Sequence, residues 1–547
     1  MTLSDHHVEL VVFAHDDPDD PKNWSHPRKL TTMATLCLLV FCAVFGSSVY
    51  APGQQMIRER YGVSADVASI GLTLYVLGFG FAPLLWGNYL PLLPLNIPAD
   101  RQCTGPLSEM YGRKRPLMVS WVLLMAATVP SAFVDNIAVI LVFRFFSGCA
   151  AASALNSGPG VLTDLWPNDF HTLGRMNSYF AFSALSGPCF GSLVGFFVAA
   201  HSGQTLWVLR LHLFFCVACW PLVFLLPETY SPTILAQRAG RLRKEGNTRA
   251  RAPVELHAKS TMQILKGHIG RPIAMLAYEP IVQGAALWIT ITYGILYFFF
   301  EVYPIVFIQQ HGIPFQLCGL MFLGVSLGMV IAIVVHPYLV RLSERIPLPG
   351  IERSGADRHP EETHLKVVLL ACIALPVSLF WFAWTSERGT PWIAPALAGV
   401  VFGYSNLTLF FCFIAYTSQT FSIYASSAAA ANTLFRSVVA SIFPIVAQTI
   451  VNRLGTTWGV TLFGCIACLL LPIPLIFIRY GASLRARSRL AREARELRER
   501  MHTQHANEKE TIDGTESSDS TETRHVDLES GGTAKEIDEA PVHTKSL

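Results

Sequence analysis

The sequence predicts an all-α membrane protein with twelve transmembrane helices in two six-helix bundles. Three observations predict it. Hydrophobic residues make up 52% of the 547 and charged residues only 14%, against about 25% charged in soluble domains. The apolar residues gather in runs of about 20, the length an α-helix needs to cross a hydrocarbon core of ~30 Å. A long basic segment, 228–279, separates the first six runs from the last six, and Lys and Arg are retained on the cytoplasmic side of a membrane.

Residues 1–29 are polar and contain no apolar signal-peptide core, so they read as a cytoplasmic tail. The N-terminal bundle is expected over 30–227, with spans at 30–53, 67–86, 116–134, 137–158, 174–200 and 206–226. Between its second and third spans the block 88–104 carries Pro91, Pro94 and Pro98 and has no helical period. Proline there would stop the second helix, and the block reads as an anomalous insertion, better explained as translated intron sequence than as a genuine loop. The turn that follows, Gly105 to Arg115, is short, punctuated by Gly105 and Gly112, and basic at Arg113, Lys114 and Arg115. Glycines let such a turn close tightly, and Glu109 can pair with a nearby guanidinium.

The segment 228–279 is a cytoplasmic loop by its charge; nucleic-acid binding is the wrong inference for it. The C-terminal bundle is expected over 280–480, with spans at 280–307, 315–339, 365–384, 392–416, 423–451 and 458–480. Arg341, Arg345, Arg353 and Arg358 follow the eighth span, which puts both termini in the cytoplasm. Residues 481–547 begin with an Arg-rich juxtamembrane helix suited to an anionic leaflet and end in a Ser, Thr, Glu and Asp-rich tail with little to bury.

Ionisable residues within spans are costly and normally face a cavity or a partner. Arg144 in the fourth span and Glu301 in the seventh are of this kind. Glu301 is open to two readings: a site for a cationic substrate or a proton, or a carboxylate capping backbone near the rim. Asn432 and Arg436 sit four residues apart, on one face of the eleventh span, and that face is expected to be interior. Tyr75, Phe298 and Phe410 are candidate cavity aromatics. Of the 12 Cys, Cys216/Cys219 and Cys465/Cys468 have C-x-x-C spacing, but on spans, where cysteine usually behaves as a small hydrophobe. No metal or disulfide framework is expected.

The turn Gly105-Pro106-Leu107-Ser108-Glu109-Met110-Tyr111-Gly112-Arg113-Lys114-Arg115 resembles the major facilitator superfamily signature G-x-L-x-[DE]-x-x-G-R-[KR]-[KR]. Arg144 with Gly148 is similar to that superfamily's R-x-x-x-G pattern in helix 4. Gly187, Pro188, Gly191 and Gly195 resemble the helix-5 motif of drug/proton antiporters. With Pro227-Glu228-Thr229-Tyr230 and the run around Asn432 and Arg436, the chain is similar over 16–480 to fungal 12-span drug:H⁺ antiporters of the multidrug/polyamine exporter group. The resemblance implies a non-enzymatic, monomeric carrier that exports drugs, toxins, secondary metabolites or polyamines by alternating access. Its partners would be the lipid bilayer, protons and a small-molecule substrate. A proton gradient would be the energy source, with no cofactor; no G-x-x-x-x-G-K-[ST] phosphate loop occurs in the chain. Gly105, Glu109, Gly112, Arg113, Lys114 and Arg115 would latch the bundles in one state, with Glu109 and Arg113 as the charged pair. The plasma membrane is the expected location, the vacuolar membrane the other candidate. Two further readings stay open: an uptake permease or facilitator, and a non-transporting homologue disabled by 88–104.

Overall fold

The computed structural model describes residues 9–14, 16–88, 112–166, 170–204, 206–256, 270–345, 361–421 and 424–496. Gly105, Glu109, the block 89–104 and the acidic C-terminal tail lie outside the described residues.

The first bundle contains α1 (His26–Ser48), α2 (Ala65–Asn88), α3 (Lys114–Phe133), α4 (Ile137–Leu165), α5 (Phe170–Ser202) and α6 (Trp207–Leu225). The second contains α7 (Pro280–Tyr303), α8 (Phe322–Arg345), α9 (Glu361–Thr385), α10 (Ile393–Phe421), α11 (Ala425–Ala440), α12 (Phe443–Leu470) and α13 (Pro472–Arg487). Gly455, at φ 76°, breaks α12. The residues before it continue the pass begun by α11, and those after it return with α13. Thr456 accordingly meets Gln310 beyond the end of α7, whereas Phe477 lies against Gly284 near its start. Among the described residues, ten helical stretches are long and apolar enough to cross a membrane; the shorter apolar stretch of α2, Ala65–Phe81, adds one, and the last stretch, Ala425–Arg487, is long enough to cross twice. Twelve passes result, as the apolar runs predict.

The two bundles repeat one packing plan. In the first, α1 packs on α5, α2 on α4, α3 on α4 and α3 on α6; in the second, α7 packs on α11, α8 on α10, α9 on α10 and α9 on α12. Small residues permit the closest crossings. A Cβ at Gly148 would strike the Tyr75 carbonyl across α2/α4, and one at Gly403 the Val325 carbonyl across α8/α10. The bundles meet along α2 with α11 and α5 with α8, which are equivalent pairs under the repeat.

Outside the bundles the N-terminal segment is docked, which its polar composition does not reveal. Glu9–Leu10 pairs in parallel with Ala250–Arg251. The Asp17 carboxylate pairs with Arg238 on the amphipathic helix Ser231–Lys244. That guanidinium holds Asp17 below the usual carboxylate range. A depressed folded pKa means this pairing contributes fully above the unfolded value of about 3.9 and is lost as pH falls through the folded value. Asp17→Asn is therefore expected to expose the segment before α1 to limited proteolysis at neutral pH, whereas the parent chain becomes cleavable there only in acid.

Candidate functional site

The site is built where α1, α2 and α4 of one bundle face α7 and α11 of the other. Arg144 on α4 is 2% exposed, and an unpartnered guanidinium at that depth would be prohibitively costly. Its Nε donates to Gly71 O at 2.9 Å, Nη1 to Gly46 O at 2.7 Å and Nη2 to Ser47 O at 2.8 Å. The Tyr50 and Tyr75 rings lie 4.7 and 4.6 Å from its carbon centre, a favourable arrangement for a desolvated cation. Carbonyls of α1 and α2 are free to accept because an oxygen has a second lone pair beyond its helical bond.

From Ser47 the network crosses between bundles. Tyr297 on α7 donates its hydroxyl to Ser47 Oγ at 3.0 Å and stands 3.3 Å from the Tyr293 hydroxyl. The Tyr293 ring in turn lies 4.6 Å from the Arg436 guanidinium carbon on α11, and Phe410 flanks that guanidinium at 5.0 Å. Two buried arginines, one per bundle, are thus linked through one serine and two tyrosines. Asn432 and Arg436 are 3% and 4% exposed. Both polar atoms of the Asn432 amide, and Arg436 Nε, have no hydrogen-bond partner. These three atoms, with Ser437 Oγ on the same helix, are unpartnered and available to a ligand.

Glu301, one turn beyond Tyr297 on α7, is also buried. Its carboxylate accepts from Gln54 Nε2 at 2.7 Å and from the Gln448 side chain. Ser69 donates to the Gln54 carbonyl oxygen at 3.2 Å. Among the described residues Glu301 meets no backbone donor; it joins the short helix after α1, Gln54–Tyr61, to α7 and α12 through neutral amides. Amides suit either protonation state, since each offers a donor to a carboxylate and an acceptor to a carboxylic acid. A third bridge between bundles runs from Thr73 Oγ1 to Ser441 O at 2.8 Å.

Two of the expected cavity aromatics, Tyr75 and Phe298, are placed elsewhere by the structure. Tyr75 lines no cavity: its hydroxyl donates to Ala43 O at 2.8 Å and its ring is committed to Arg144. Phe298 packs on Phe463 at 4.7 Å inside the second bundle. Phe410 flanks Arg436 beside the unpartnered atoms of α11. Tyr293 and Tyr297, which residue type alone did not distinguish, take the other two places. Gly187, Gly191 and Gly195 line a face of α5 that packs within its own bundle, against Phe41, Phe45 and Val49 of α1 and its extension. Pro188 contributes a carbonyl to the same contact, accepting from Ser48 Oγ at 2.5 Å.

Glu109 lies outside the described residues; the described end of the signature turn is held by Glu228 and Asp164. Gly112, at φ 85°, lies against the Glu228 carboxylate, and only glycine adopts that backbone freely. Glu228 accepts from Arg113 N at 2.7 Å and Lys114 N at 3.2 Å. It thereby caps the positive end of α3. Arg113 Nε pairs with Asp164 at the end of α4 at 3.1 Å, and its guanidinium faces the Tyr230 ring. Lys114 Nζ donates to Phe224 O at 2.7 Å, and Arg115 is exposed. Glu228→Gln keeps the size but loses the charge. Charge-assisted hydrogen bonds contribute about 1.5–3 kcal/mol; the variant is expected to melt several degrees lower in detergent and transport more slowly, measured on purified protein and in cells.

Twelve passes in two repeated bundles, with polar and charged side chains gathered at their shared interface, define a small-molecule membrane carrier. The chain belongs to the Major Facilitator Superfamily, whose family model matches residues 103–444. It is similar to the citrinin biosynthesis cluster MFS transporter mrr1 of Monascus ruber, 32% identical over 490 residues covering 88% of this chain and 93% of that one. It is also similar to the major facilitator superfamily multidrug transporter mdrA of Aspergillus fumigatus, 31% identical over 486 residues, covering 88% and 76%. Among solved structures it resembles the xylose transporter XylE from E. coli in a partially occluded inward open conformation, with TM-score 0.54, 14% identity and coverage of 83% and 99%. The protein is a multi-pass membrane transporter and not an enzyme.

Proposed function

We propose that this transporter exports small amphipathic molecules in exchange for protons, and that its substrates present acceptor oxygens, most favourably a carboxylate or enolate. The observation that carries this reading is the set of unpartnered donors on Arg436 and Asn432, flanked by Tyr293 and Phe410. Aromatic walls with a few fixed polar groups suit varied apolar bodies carrying one oriented oxygen. Of the roles open to Glu301, the proton site is the one we assign, supported by the two amides that cover its carboxylate and leave no room for a cation. Relatives that include a biosynthesis-cluster transporter and a multidrug transporter favour export over uptake.

If the termini are cytoplasmic, as loop charge predicts, the Gln54–Glu301 and Ser47–Tyr297 bridges lie toward the outer face. A state closed there loads substrate from inside the cell. The plasma membrane is then the location that makes transport an export.

The test is retention of two fluorescent probes, an aromatic carboxylate and a rhodamine cation, in yeast lacking its own pumps. The chain is expected to lower retention of the carboxylate in an uncoupler-sensitive way. Arg436→Gln should raise it again, since one charge-assisted bond is worth about tenfold or more in affinity. Export of the cation alone, unchanged by Arg436→Gln, would remove Arg436 from the substrate site.

A further inference from the structure

One group of side chains takes no part in the transport network, although it lies beside it. Cys42 on α1 and His212, Cys216 and Cys219 on α6 converge within the first bundle. Cys42 Sγ is 3.8 Å from Cys216 Sγ, and Cys216 Sγ is 3.3 Å from His212 Nε2. The three ligand atoms lie within 4.8 Å of one another, and all three residues are buried. Cys219, one turn further along α6, is in hydrogen-bond contact with Cys42. Glycine at 46 lets the His212 ring pack directly on the α1 backbone, so the imidazole is fixed in orientation.

We propose that Cys42, His212 and Cys216 form a binding site for a soft divalent d10 cation, zinc foremost, with Cys219 placed to supply a fourth ligand. The spacing fits the chemistry. Zinc–sulfur bonds of about 2.3 Å at a tetrahedral centre put two sulfurs about 3.8 Å apart, and a sulfur and an imidazole nitrogen about 3.5 Å apart. Charge fits as well. Two thiolates and a neutral imidazole around a divalent ion sum to zero, the one net charge that costs little within an apolar bundle. Binding therefore releases the two thiol protons to solvent, and no electron moves. With Cys219 neutral the site is a three-ligand centre; its deprotonation would add one negative charge.

The position gives the ion a consequence. Ala43 and Gly46, next to Cys42 on α1, carry the carbonyls that hold Tyr75 and Arg144. His212 faces the Tyr75 ring at 6.2 Å. Metal bridging α1 to α6 fixes the helix that supplies two of the three carbonyls around Arg144. Occupancy should accordingly raise the melting temperature by mass action.

The experiment uses the full chain purified in detergent from zinc-supplemented cells and washed with chelator. Elemental analysis is expected to find about one zinc per chain, and X-ray absorption a shell of sulfur at about 2.3 Å with nitrogen at about 2.0 Å. Cadmium should give a thiolate charge-transfer absorbance that is lost in Cys42→Ser and Cys216→Ser and kept in the control Cys468→Ser, whose thiol is exposed. A substoichiometric metal content with no cadmium–thiolate band overturns the proposal. So does a band that disappears in the Cys468→Ser control. Should the buried variants fail to fold, the absorption edge of the wild-type chain still decides, because a shell of oxygen and nitrogen alone contradicts a two-thiolate site.

Discussion

Arg144→Ala is expected to abolish export, leaving retention at the empty-vector level, and to destabilise the first bundle. Three carbonyls, on Gly46, Ser47 and Gly71, would lose their donor at once. A buried polar group left unpaired costs about 1–3 kcal/mol. Part of that loss is moderated because each carbonyl also belongs to a helix. Arg144→Lys is the more informative change, since it keeps the charge. An ammonium lacks the planar fork that reaches three acceptors and lies flat between two tyrosines. It is expected to fold, to reach the membrane and to transport at a small fraction of the wild-type rate. Surface expression and detergent melting, measured beside retention, separate a folding loss from a transport loss.

The second large effect is expected at Glu301. Glu301→Gln holds the position in its neutral form and keeps both amide neighbours, so the chain should fold and the bundles should still close through Gln54. Proton-driven accumulation should be lost, whereas exchange of labelled for unlabelled substrate down its own gradient should continue. Glu301→Ala should lose both, because the Gln54 and Gln448 amides would then be stranded without their acceptor. A Glu301→Gln protein that still pumps uphill would place the proton site elsewhere.

The architecture was legible because a spanning helix announces itself by length and composition, and a basic loop by charge. Repetition of the packing plan then follows from the repetition of the pattern. The interface was legible where burial of a residue type is costly. Arg144 and Glu301 stand out for that reason, Asn432 and Arg436 for their shared helix face, and the structure places all four inside. Partners were not legible. Gln54 and Gln448 are common polar residues, and only the meeting of the Gln54–Tyr61 helix with α7 and α12 makes them partners of Glu301. Aromatics failed in the opposite way: Tyr75 and Phe298 are the right type for a cavity, but type does not encode which side of a buried helix a ring leaves from. The C-x-x-C spacing on α6 does not reveal the approach of Cys42, 174 residues from Cys216 in sequence. Two-residue strands such as Glu9–Leu10 carry no periodicity to read.

The most direct measurement of proton-coupled export uses the purified chain in proteoliposomes with an imposed pH gradient, following uptake of a labelled aromatic carboxylate together with internal pH. Inside-acid vesicles are expected to show substrate entering as protons leave, with substrate uptake abolished by an uncoupler, and with both uptake and the substrate-dependent proton efflux abolished by Glu301→Gln. Substrate movement that ignores the pH gradient, with no matching proton flux, would contradict the account and identify the protein as a facilitator.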